Sequence, residues 1–155
     1  MMSLSNGQKG ILALVVGCLI IYLGDHLLGV RAELYWGLAT FSGLWTLDIF
    51  VVPLISGTVV SLIYGMGGKW LSHLPPLIVK FYGYYESLNL IGIPQGAKLM
   101  PMGWWGFSVI LVVECSAVGG VVGELLVKRT YGRRPIHVEL QEKAAPAEHK
   151  AQSDD

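Results

Sequence analysis

Glu114 is the residue whose chemistry most needs explaining. It sits in VVECSAVGGVVGE, residues 112–124, near the middle of an apolar run from Trp104 to Val127. A charged side chain at that depth of a bilayer costs at least ~2.5–3.5 kcal/mol on insertion scales, so it is neutral, partnered or turned to a polar cavity. On a helical wheel Leu111, Val118, Val121 and Leu125 share its face. Ser116, Gly119, Gly120 and Gly123 fall within about 100° of arc on the opposite side. The hydroxyls of Ser56, Thr58 and Ser61 on the preceding apolar segment are the polar groups this chain offers at a matching depth. No Lys, Arg or His is expected there. Two chemistries follow: contact with another chain, lipid or cavity against the Glu114 face, or carriage of a proton or cation.

Four further polar groups flank apolar segments. Asp25 and His26 close the first, Asp48 opens the second, and Glu124 ends the third. A three-span topology gathers all four at one end, near Arg31, Lys128 and Arg129. They are then either interfacial charges met by water and counter-charges, or an acidic entry to a path ending at Glu114.

Other chemistries lack their residues. A haem held within the chain needs two histidines at similar depth, and only His26 lies close to a span. No spacing of His, Cys, Asp or Glu suggests a metal site. No nucleophile, base and orienting group recur in a credible arrangement. Gly65-Met-Gly-Gly-Lys69 has too few residues between its glycines to cradle a phosphate. Cys18 and Cys115 both lie inside apolar segments and read as small buried hydrophobes. No cofactor and no catalytic set is expected.

The elements that must position these residues are membrane helices. Of 155 residues 53% are hydrophobic and 14% charged, with a mean hydropathy of +0.55. A soluble domain carries about 25% charged residues. Net charge is zero, which removes a global field for nucleic acid. A crossing needs about 20 apolar residues. Spans are expected at about 10–28, 45–66 and 104–127. The first follows Lys9, and Val30-Arg31-Ala32 faintly resembles a cleavage site. Asp25 and His26 separate that site from the apolar run, and the segment is read as a retained span.

The stretch 34–66 is apolar except for Asp48, and no obvious turn divides it. It reads as an aromatic lead-in over 34–44 followed by a span that Pro53 kinks; one bent or tilted helix is the alternative. Pro75-Pro76 can start a helix, and Leu77, Ile78, Phe81, Tyr82, Tyr85 and Leu88 recur at helical spacing with Lys80 and Ser87 near the other side. That predicts an amphipathic helix over about 75–90 in the membrane interface.

Each span carries small residues on one face: Gly10, Ala13, Gly17 and Gly24; Gly57, Ser61 and Gly65; Ser116, Gly119, Gly120 and Gly123. Such faces let helix backbones approach closely in lipid. They imply a compact bundle or tight contacts with other chains.

The expectation is an all-α integral membrane protein. Residues 1–134 form one membrane-embedded helical domain with three spans and an interfacial helix, and 135–155 a disordered polar tail. Lys128, Arg129, Arg133 and Arg134 put the C-terminus in the cytoplasm by the positive-inside rule, with the N-terminus outside. The cytoplasmic membrane of a prokaryote is the expected location. The leading functional expectation is a non-catalytic accessory or scaffold subunit of a larger membrane complex, with lipids and other membrane subunits as partners and no nucleic acid. Proton or cation translocation through Glu114 is the alternative.

Overall fold

The computed structural model describes residues 5–29, 35–36, 42–86, 89, 98–99 and 101–131. The expected polar tail over 135–155 lies outside them. The architecture is all-helical apart from one two-residue strand pair. Three helices are long and apolar enough to cross a membrane: 6–28, 43–64 and 102–130.

Helix α1 spans Asn6–Leu28. Its start is a reciprocal cap. The Gln8 N–H donates to Ser5 Oγ at 3.3 Å, and the Ser5 N–H donates to Gln8 Oε1 at 2.9 Å, satisfying two otherwise orphaned donors. Gly29, left-handed at φ 63°, ends it.

The ambiguous 34–66 stretch resolves at Ser42. Its Oγ accepts the Trp45 N–H at 3.2 Å, an N-cap that opens a continuous helix. Tyr35–Trp36 (β1) pairs antiparallel with Lys98–Leu99 (β2), so part of the expected lead-in is a strand. The rest of residues 37–41 lies outside the described residues. The helix proceeds through α2 (Gly43–Thr46), a π turn at Leu47–Val51 and α3 (Val52–Tyr64). Pro53 explains the π turn. It has no N–H for the carbonyl four residues back, and its ring crowds that carbonyl. One widened turn, in which the Val52 N–H reaches Leu47 O, accommodates both. The irregularity anticipated at Pro53 therefore takes the form of a π turn.

Gly65 (φ 89°) and Gly67 (φ 92°) then reverse the chain into α4 (Gly68–Leu71) and α5 (Leu74–Glu86). The last helix, α6, spans Met102–Tyr131.

Small residues set the packing. A Cβ placed on Gly17 would come within 2.7 Å of both Val60 and Pro75, and one on Gly24 within 2.5 Å of Val52. Gly10 lies beside the Tyr64 ring. These pairs run α1 antiparallel to α3. A Cβ on Gly57 would overlap the Ser116 carbonyl, and one on Gly119 the Leu54 carbonyl. Gly123 meets the Thr58 carbonyl and Ser61, and Gly120 meets Lys69 and Ser72. Leu54 with Gly119 and Thr58 with Gly123 make α3 and α6 parallel.

Parallel neighbours need a return path, and α4 and α5 are part of it. Gly68 rests on Ser61 near the end of α3, Pro75 on Gly17 at mid-α1, and Lys80 reaches Asp25 near the end of α1. The 19 residues from 68 to 86 would extend about 28 Å if fully helical, lengthwise along α1 and α6. The start of α1 and the end of α6 consequently share one end of the bundle. A plain count of three spans would instead put these two helix ends at opposite ends of the bundle.

The amphipathic helix expected over 75–90 is present as α5. Its sides are reversed relative to a solvent-facing helix. Ile78, Phe81, Tyr82 and Tyr85 are exposed on the outside, while Lys80 is 1% exposed within. The small apolar core clusters are Trp45, Ile49 and Val112, and Trp105 with Val109.

Candidate functional site

Two polar features stand out against this apolar bundle, one inside it and one on its surface. The inner one joins three elements. Lys80 Nζ, from α5, lies 3.0 Å from both carboxylate oxygens of Asp25 on α1. It also lies 3.4 Å from Asp48 Oδ2 in the π turn. Lys80 and Asp48 are each about 1% exposed, and the Asp25 side chain is 18% exposed. Asp25 is therefore the member closest to the outside. A buried charge is tolerated only with a partner and hydrogen bonds, and this cluster supplies both across α1, the π turn and α5.

Two of the expected polar residues thus meet through a third that was expected elsewhere. Lys80 had been placed on the polar side of an interfacial helix. The available signal was its isolation: Lys80 is the only lysine or arginine between Trp70 and Lys98, and the two spans before it each carry one aspartate. An isolated membrane lysine beside two membrane aspartates is a charge-pairing pattern. Lys80 also overturns the expectation of no basic residue at the depth of Glu114. Ile49, next to Asp48, packs on Val112, so the ammonium lies within about one helical turn of Glu114 along the axis. It is on the inner side, and Glu114 is on the outer.

His26 is exposed and its ring lies tilted against Tyr22, with centroids 4.9 Å apart; it is not part of the cluster. Glu124 is at the other end of the bundle, a correction that follows from the parallel run of α3 and α6. Its Oε1 accepts the N–H of Gly67 at 2.8 Å and of Lys69 at 3.2 Å. It is 7% exposed and satisfies backbone donors at the start of α4. Asp25, Asp48 and Glu124 are therefore split between two ends and do not line one acidic path.

The surface feature is Glu114. It is exposed near the middle of α6. Val118 is 54% exposed, Val121 45% and Leu125 54%, and Leu111 is half-buried. The face read from the wheel is thus the outer face of α6. Two of the three hydroxyls considered as intramolecular partners are committed elsewhere. Ser56 Oγ donates to Gly17 O at 3.0 Å. Thr58 Oγ1 donates to Leu54 O and Gly119 O at 2.8 and 3.1 Å. Ser61 Oγ is buried without a hydrogen-bond partner among the described residues. No described residue forms a hydrogen bond or ion pair with the Glu114 carboxylate.

The glycine faces are spent internally, which settles the choice left open for them. Ala13, Gly17, Gly57, Ser61, Ser116, Gly119, Gly120 and Gly123 are all buried. Ser116 adds a bond from its Oγ to Ser72 O at 2.7 Å. Gly65 is the exception. Nothing lies within 4 Å of where its Cβ would be, and its backbone (φ 89°, ψ −139°) ends α3. It is a turn glycine, not a packing one.

Among the described residues no three His, Cys, Asp or Glu side chains converge on a common point. Comparison with protein families, curated proteins and solved structures returned no match. The fold and these two sites define a small integral membrane protein of helical type.

Proposed function

We propose that the chain is a non-catalytic accessory subunit of a larger membrane complex, docked through the outer face of α6. The observation that carries this reading is Glu114: a carboxylate exposed near the middle of an apolar span, with no bond to any described residue. An ionisable group in a membrane helix ordinarily faces a bundle interior or a cavity. Packing α6 against a helix of another protein converts this outer face into such an interior. Internal use of the glycine seams supports the same reading, because the bundle is closed on its other side.

Orientation follows from charge. Lys9, Lys69, Lys128 and Arg129 belong to the end where α1 begins and α6 finishes, and that basic end faces the cytoplasm. A prokaryotic cytoplasmic membrane fits this arrangement.

Purification in mild detergent at native expression tests the proposal. Wild type is expected to elute with defined additional polypeptides that are lost in Glu114→Leu. A wild-type chain recovered alone and folded overturns it.

The buried Asp25–Lys80–Asp48 cluster favours a second reading, proton or cation translocation. Its path would start at the part-exposed Asp25. Vesicles reconstituted with the protein would then show a flux that Asp48→Asn abolishes. Absence of flux in wild type removes this reading.

A further inference from the structure

We infer that the partner at the Glu114 face is a transmembrane helix of a different protein carrying a lysine or arginine at the depth of Glu114. This inference rests on the docking reading above and specifies its chemistry.

Phe107, Leu111, Glu114, Val118, Val121 and Leu125 recur at alternating steps of four and three residues. That is the spacing of a left-handed helix–helix seam. Five positions are apolar and one, within the seam, is acidic. Phe107 is 50% exposed, and apart from half-buried Leu111 every member is exposed. A single polar residue in an apolar seam sets register and selects partners, because a mismatched neighbour leaves it unpaired.

A second copy of this chain would bring two like-charged carboxylates together, a juxtaposition that selects against it. Nor does a second copy offer a cation at this depth. Among the described residues of the three spans, the basic side chains are Lys9, His26, Lys128 and Arg129, all near span ends. Lys80 is at the right depth but buried and engaged with Asp25 and Asp48. Lipid tails supply no donor. A cationic side chain on a foreign helix completes the seam and neutralises the carboxylate.

The test uses the full chain in phosphatidylcholine vesicles, with an acceptor-labelled polyleucine transmembrane peptide and energy transfer as the readout. Three peptides are compared, with lysine, glutamine or leucine at the centre. With wild type the lysine peptide is expected to associate about tenfold more tightly than the leucine peptide. This preference should vanish in Glu114→Gln and Glu114→Leu. Because Glu114 is exposed, both variants should fold, which circular dichroism and melting temperature will verify. Equal association of all three peptides with wild type overturns the inference, as does a lysine preference that persists in Glu114→Leu. A preference for glutamine over lysine also overturns it, in favour of a neutral donor. Glu114-dependent self-association without peptide binding overturns it in favour of a second copy. The peptide result is independent of native purification. Co-elution that depends on Glu114, combined with no lysine preference, sinks the cationic partner alone; wild type eluting by itself sinks the docking reading.

Discussion

Lys80 and Glu114 lie at similar depth and meet opposite fates. Lys80 has two carboxylates at 3.0 and 3.4 Å and is buried. Removing one partner of such a buried pair costs about 3–5 kcal/mol, because the remaining charge stays in a poor solvent. Lys80→Met is therefore expected to lower the melting temperature steeply in detergent. Asp48→Asn in that background should recover part of the loss, a coupling of about 1 kcal/mol or more in a double-mutant cycle. Additive effects would mean that the two side chains act independently. At the far end, Glu124→Leu removes the acceptor for two backbone donors and should cost about 1–3 kcal/mol, with Glu124→Gln much milder. Glu114 was legible as an anomaly from its apolar context, and its exposed face was readable from helical periodicity. The lysine between the aspartates left only the signal of its isolation, because pairing depends on how chain segments far apart in sequence fold back, which periodicity along one helix does not encode.

The helices were legible where the signal is local. Apolar length gave three spans, and Pro75-Pro76 marked the start of α5. What local signals miss is direction of facing. In water an amphipathic helix turns its polar side out; in lipid the same pattern is satisfied with the polar side in. Helix α5 has the inverted pattern, with Phe81 and Tyr85 outside and Lys80 inside. The glycine faces were readable as packing surfaces, but their partners required the fold. At Gly57 and Gly119 the neighbouring backbone carbonyl leaves no room for a methyl group. Gly57→Ala and Gly119→Ala should each destabilise by about 1–3 kcal/mol through overpacking. Gly106→Ala, with nothing within 4 Å of its would-be Cβ, is the control and should leave thermal unfolding essentially unchanged. Equal effects at Gly57 and Gly106 would contradict the parallel α3–α6 contact.

At the scale of the whole molecule the parallel run of α3 and α6 decides the topology. Counting three spans puts the start of α1 and the end of α6 at opposite ends; the intervening α4–α5 passage returns the chain, so these two helix ends share one end of the bundle. It also reconciles the charges, since Lys69 joins Lys128 and Arg129 at one end through the backbone contacts of Glu124. With Cys18 and Cys115 replaced by alanine, single cysteines at Ser5 and Thr130 should react alike with a membrane-impermeant thiol reagent. One at Ser42 should react only from the opposite face. Opposite labelling of Ser5 and Thr130 would refute the shared end.

The central claim is that the outer face of α6 belongs to an interface with another membrane protein. Native-expression purification of wild type beside Glu114→Leu, with the mass of each eluted particle measured, tests it most directly. A wild-type particle heavier than the chain by one or more defined polypeptides is expected, and a Glu114→Leu particle reduced to the folded chain alone. Equal masses for the two, or a wild-type particle containing only this chain and detergent, would contradict it.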